Sequence, residues 1–253
     1  VFVVGMPRSG TTLVESIVLR HPDVSTIGES SALQDLLNQY RRKCGATHSW
    51  DWFERLTDGD ADALRARYVR SCAQQFAQDL PPVIIDKTPL NIFELGFAAR
   101  ILPSARFVFL SRHPLDVGLS AFATHFFATH PYSNSLASNG DMTRAVYRSA
   151  DNYERRLGPA FRRQSYAALV SSPETQIRSL LDHLGLAWNP ACLSPQDRVG
   201  MVRTASVTQV RAPITRSAIG KWTRYEKELQ PLVKALGGPD WIDDWERADQ
   251  AAG

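Results

Sequence analysis

The sequence predicts an α/β fold: a central, mostly parallel β-sheet with helices layered on both faces. Three observations carry this. The chain opens with a short apolar strand (residues 1–4), a glycine-containing loop and an apolar helical stretch, which together form the start of an α/β unit. Residues 83–85 (VII) form a short, continuous apolar run, as expected of a strand buried on both faces. Residues 106–110 (RFVFL) form another. At 253 residues the chain can bury a sizeable core, and it is read as a single domain over 1–253.

Each element has a local reason. The first helix carries Leu13, Ile17 and Leu19 and stops near His21-Pro22. The polar stretch 41–60, with Trp50, Trp52 and Phe53, reads as an insertion. A helix is expected from about Asp60 to Leu80, because Leu64, Tyr68, Cys72, Phe76 and Leu80 recur every fourth residue and Pro81-Pro82 follows. A helix over 90–102 follows the 83–85 strand, and Pro114 marks another helix start after the 106–110 strand. Further helices are expected at 141–157, 173–185 and 222–236. The last places Trp222, Tyr225, Leu229, Leu232 and Leu236 on one face and stops at Gly237-Gly238. In such a fold ligands sit at the carboxyl ends of the strands, so functional residues should follow Val4, Ile85 and Leu110.

Composition narrows the function. Lys and Arg number 29 against 26 Asp and Glu, a net charge of +3, too balanced to indicate nucleic-acid binding. No apolar run reaches the roughly 18 residues of a membrane helix. Cys44, Cys72 and Cys192 have no metal-ligand spacing, and no metal site is expected. Few cysteines and the lack of a signal-like head suggest a cytoplasmic protein. The start at VFVVG, without Met, suggests that the natural N-terminus lies upstream.

Gly5-Met6-Pro7-Arg8-Ser9-Gly10-Thr11-Thr12 has the two-glycine spacing of a phosphate-binding P-loop, between strand and helix. A nucleotide kinase needs Lys after the second glycine. Thr11 stands there, and the positive charge is Arg8, inside the loop. Such a loop suits a phosphate-linked group whose transfer needs no metal.

PRSGTTLVE is followed in order by GES at 28–30, DKTPLN at 86–91, SRHPLDVGLS at 111–120 and TASVTQVRAP at 204–213. This series resembles the sulfotransferases that use 3′-phosphoadenosine 5′-phosphosulfate (PAPS). It is most similar to the tyrosylprotein sulfotransferases and to bacterial relatives often fused to tetratricopeptide repeats, which makes an upstream repeat module an expectation.

The resemblance implies a P-loop-type three-layer fold and PAPS as co-substrate. It puts Arg8, Ser9, Gly10, Thr11 and Thr12 on the 5′-phosphosulfate. It puts Arg112, Ser120 and Lys221 on the 3′-phosphate, and Tyr166 near the adenine. Ser206, Gln209 and Val210 fall in a loop closing over the nucleotide, with Ser206 near the sulfate. Lys87 is the implied cation at the leaving oxygen and Glu29 the implied base. The acceptor is a hydroxyl of a peptide tyrosine, glycan or small molecule, bound through segments 30–60 and 121–145.

Local readings stay open beside these. Lys87 could simply pair with Asp86, Arg112 with Asp116, and Glu29 could be a first-turn helix residue. Tyr166 could be a core aromatic, and His21, His48, His113, His125, His130 and His183 are alternative bases, His125 and His130 on the acceptor side. A small-molecule P-loop kinase, with Asp86 as its only metal-binding candidate, and a non-catalytic nucleotide-binding module are the competing functions.

Overall fold

The computed structural model describes residues 1–46, 48, 50–76, 80–124, 126, 130–197 and 213–252. Five strands form one sheet: β1 (Phe2–Gly5), β2 (Val24–Gly28), β3 (Val83–Asp86), β4 (Phe107–Ser111) and β5 (Phe161–Ser165). Their order is β2-β3-β1-β4-β5, and every pairing is parallel. All five carboxyl ends therefore meet at one edge.

The residues of β1 and β4 alternate between two cores. Phe2, Val4, Phe107 and Phe109 face one side, Val3, Val108 and Leu110 the other. The first side is covered by α2 (Ala32–Lys43), α4 (Asp58–Ala73), α5 (Leu95–Ile101) and α7 (Leu136–Leu157). The second is covered by α1 (Thr11–Val18) and α9 (Pro173–Leu184). This is the three-layer arrangement expected, and no helix among the described residues is long and apolar enough to cross a membrane.

Several element boundaries differ from expectation for local reasons. Helix α4 ends at Ala73, short of the expected Leu80: Phe76 still packs against the core from beyond the helix end, whereas Leu80 is exposed. The 90–102 segment splits into a 3-10 turn, Pro89–Glu94, and α5, as Asn91 turns its amide toward the Asp86 carboxylate. Residues 222–236 do not form one helix. A 3-10 turn, Lys221–Tyr225, precedes α10 (Gln230–Leu236), because Pro231 is tolerated only in a first turn. Tyr225 is consequently exposed and not on the core face. The helix expected at 141–157 starts earlier, at Leu136. In the 41–60 stretch Trp52 is core, edge-on to Phe97, whereas Trp50 and Phe53 lie at the surface.

Strands β2 and β5, and helices α2, α3 (Asp51–Arg55), α6 (Pro114–Phe122), α8 (Tyr166–Ser171) and α11 (Pro239–Ala252), complete the described strands and α-helices. Of these the start of α6 was expected, and a helix after Glu29 was one of the two readings of that residue.

Helix α10 packs into a notch made by two glycines, Gly118 of α6 and Gly140 of α7, both against Leu232. A Cβ on Gly140 would stand 2.6 Å from Cβ of Ala235 and 3.0 Å from the Leu232 carbonyl oxygen. Gly140→Ala should therefore destabilise the fold by about 1–3 kcal/mol despite alanine's better helix propensity. Chemical denaturation of both proteins measures this, and an equal or higher midpoint for the variant would refute the packing argument.

Candidate active site

Each strand hands a polar or charged group to the common edge. Strand β1 leads into the Met6–Gly10 loop, β2 into Glu29, β3 into Lys87, β4 into Arg112 and β5 into Tyr166.

The loop turns tightly, with Ser9 N–H donating to the Met6 carbonyl at 3.0 Å. Arg8 takes a left-handed backbone (φ 74°), as does Gly10 (φ 113°), which caps α1. Glycine is required at position 10 twice over, since a Cβ there would lie 2.7 Å from the Tyr166 ring. Thr11 and Thr12 are buried in the first turn of α1, where backbone N–H groups have no intrahelical acceptor and attract anions. The Ser9 hydroxyl is buried without a hydrogen-bond partner among the described residues.

Beside the loop lies a cleft of about 620 Å³, lined by Arg8, Arg112, Ser120, Lys221, Arg224 and Tyr225 among others. Arg8 Nε donates to Ser120 Oγ at 3.1 Å. Arg112 Nη1 donates to the Arg8 carbonyl at 2.8 Å and Nη2 to the Ala218 carbonyl at 2.5 Å, while its guanidinium lies 4.8 Å from the Tyr166 ring centroid. Arg112 Nε is buried with no partner among the described residues. Burial, and then the neighbouring Arg112, hold the Arg8 guanidinium below its ordinary pKa. Two adjacent guanidiniums and an unpartnered N–H demand an anion. Asp116 does not supply it: its carboxylate accepts from the N–H groups of Gly220 (2.8 Å) and Trp222 (3.2 Å), so the Arg112–Asp116 pair is not formed.

The second cluster surrounds Lys87, whose side chain is fully buried. Its Nζ donates to Glu29 Oε1 at 2.5 Å and lies 3.7 Å from Glu15 Oε2. Glu15 is itself buried and accepts from the Thr26 hydroxyl at 2.7 Å. The Asp86 pairing of Lys87 does not occur. Asp86 is held from the other side by Tyr68 (2.7 Å), Thr88 (3.0 Å) and Asn91 (3.3 Å), and burial pushes its pKa up to about 6. Its oxygens are thus committed to the protein and not offered to a metal. Glu29 precedes α2, which starts at Ala32, so it is no first-turn residue; its side chain is 46% exposed. His130 is half-buried, and burial lowers its pKa while the Glu29 carboxylate raises it.

The structure thus brings together Arg8, Ser9, Gly10, Thr11, Thr12, Arg112, Ser120, Tyr166 and Lys221 on one side, and Lys87 with Glu29 on the other. Ser206, Gln209, Val210 and His125 lie outside the described residues. Sequence reasoning gave no role to Glu15. Its signal was a carboxylate in an otherwise uncharged helix, TTLVESIV.

Comparison with known proteins bears on the family and the fold. The profile of the sulfotransferase family matches residues 1–190. An uncharacterised Aquifex aeolicus protein is 32% identical over 93% of this chain, which spans only 32% of that protein's length. Protein-tyrosine sulfotransferase 1 of Danio rerio is 24% identical over 94% of this chain and 71% of its own. Among solved structures, the sulfotransferase domain of a Synechococcus olefin synthase superposes with a TM-score of 0.64 at 21% identity, covering 88% of this chain and 86% of that one. A mouse sulfotransferase complexed with PAP gives 0.55 at 12% identity, covering 100% and 88%. With three-quarters of its length matched by the family profile, the chain belongs to the sulfotransferase family.

Proposed function

We propose that this chain transfers a sulfuryl group from PAPS to an acceptor hydroxyl. The observation that carries the reading is the buried Lys87, bonded to the half-exposed Glu29 at the strand edge that also presents the glycine loop and the arginine-lined cleft.

The residues fit such a nucleotide. The buried, unpartnered Ser9 hydroxyl and Arg112 Nε are groups that a phosphate oxygen would satisfy. Arg8, Ser9, Gly10, Thr11 and Thr12 would hold the 5′ end, Arg112, Ser120 and Lys221 the 3′-phosphate, and Tyr166 the base. The roles of Ser206, Gln209 and Val210 rest on the resemblance. PAPS supplies an activated sulfuryl group for in-line displacement by a hydroxyl oxygen, by analogy with phosphoryl transfer. Glu29 would accept the hydroxyl proton on Oε2, since Oε1 is taken by Lys87. Lys87 and Arg8 would meet the charge that develops on the leaving oxygen, Lys87 also as proton donor. A sulfuryl group carries less charge than a phosphoryl group, so protein cations take the place of Mg²⁺. The described cysteines are all free, which fits work in the reducing cytoplasm.

The first test addresses the nucleotide. PAP (adenosine 3′,5′-bisphosphate) should bind at least tenfold more tightly than AMP, because each charge-assisted bond to the 3′-phosphate contributes ~1.5–3 kcal/mol. Calorimetry giving equal affinities would remove the 3′-phosphate from the Arg112–Ser120 cleft.

The second separates chemistry from binding. Glu29→Gln is the cleaner substitution, because replacing Lys87 would strand the buried Glu15 carboxylate. Turnover should fall by ~10²–10⁴-fold while PAP affinity and melting temperature stay near wild type. Near-normal turnover would transfer the base role to a histidine such as His130.

A further inference from the structure

The C-terminal helix α11 contributes no residue to the cleft, yet two of its carboxylates reach the capping groups of both helices that carry the clamp. Helix α6 bears Ser120 and is capped by His113, whose Nδ1 accepts the Leu115 N–H at 3.3 Å. That bond places the imidazole proton on Nε2, which donates to Glu246 at 2.8 Å. Helix α8 begins with Tyr166 and is capped by Ser165, whose Oγ accepts the Ala168 N–H at 3.2 Å. The Ser165 hydroxyl in turn donates to Asp249 at 2.8 Å. Glu246 and Asp249 are three residues apart and so lie on one face of their helix.

Both capping residues adjoin the clamp directly. His113 follows Arg112, and Ser165 precedes Tyr166. The His113 ring also lies stacked on Trp222, at 4.9 Å, next to Lys221. Trp245 also stands edge-on to His113, at 5.4 Å. Asp249 is 9% exposed, and its second oxygen has no partner among the described residues. A buried carboxylate given a single hydroxyl is a poor stabilising device, since an apolar side chain would serve the fold better. Its value lies in where it holds Ser165.

We propose that Glu246 and Asp249 are positioning residues for the nucleotide clamp, acting through His113 on the Arg112–Ser120 side and through Ser165 on Tyr166. The helix is a strap that sets the spacing between guanidinium, hydroxyl and aromatic ring. It touches neither Glu29 nor Lys87, so it governs nucleotide affinity and leaves the chemical step alone. This rests on the reading of the cleft as the PAPS site.

The test compares the full chain with Glu246→Ala, Asp249→Ala and the double replacement, and with the pair Glu246→Gln plus Asp249→Asn. The amide oxygens of the last pair accept the same two bonds. The double alanine variant should bind PAP about tenfold more weakly and raise the KM for PAPS in proportion, with kcat and acceptor KM within about twofold of wild type. The amide pair should restore wild-type affinity. Wild-type PAP binding in the alanine variants overturns the proposal. So does an equal loss in kcat and acceptor KM, or failure of the amide pair to restore affinity. Should the double variant not fold, the single replacements make the same comparison. A wild-type chain that does not bind PAP at all overturns instead the reading of the cleft on which this inference stands.

Discussion

A lysine ammonium shut away from water has to be neutralised by its surroundings, and the β2–β3 side of this site is built to do so for Lys87. An unpaired buried charge is far too costly to persist. Glu29 neutralises it from the solvent side and Glu15 from within, with Thr26 holding Glu15 in turn. These groups come from the ends of β2 and β3 and from the helix behind the glycine loop. The charge balance of one side chain thereby ties three neighbouring elements together. It also gives Glu29 and Glu15 different characters. Glu29 is half in water, whereas Glu15 is sealed beside Lys87.

The strand order divides the labour. β1 sits at the centre of β2-β3-β1-β4-β5, and its loop faces both halves of the sheet. On the β2–β3 side lie Glu29 and the buried Lys87. On the β4–β5 side lie Arg112 and Tyr166, with Ser120 and Lys221 nearby, around a cleft rich in donors. Arg8 starts from that loop, and its guanidinium reaches Ser120 on the β4 side. A parallel sheet makes this economical. All five carboxyl ends point one way, so adjacent strands deliver their groups to one place without long loops.

Much of this was legible in the chain. The glycine loop, the two apolar runs at 83–85 and 106–110 and the residues following them could be read because their signals are local: spacing, apolar runs and proline or glycine stops. β2 and β5 were missed because VSTIG and FRRQS are not apolar runs. β2 carries Thr26, bonded to Glu15, and β5 carries Arg162 and Arg163, which are satisfied by carboxylates, serine and aromatic faces brought from elsewhere. The long helix expected at 222–236 failed at Pro231, and the break turns Tyr225 and Lys221 toward the cleft.

The sequence by itself determined the sheet-and-helix class, the glycine loop with its internal arginine, and the identity of the groups at the strand ends. Those follow from periodicity and from residue types fixed within a few positions of one another. Partnership was decided only by the tertiary structure. Lys87 turns to Glu29 and Glu15 and away from its neighbour Asp86; Asp116 caps the 220–222 turn and leaves Arg112; α11 reaches back more than eighty residues from Asp249 to Ser165. A buried polar group takes whichever partner completes its hydrogen bonds in three dimensions, and that choice depends on distances between strands and helices that adjacency in the chain does not encode.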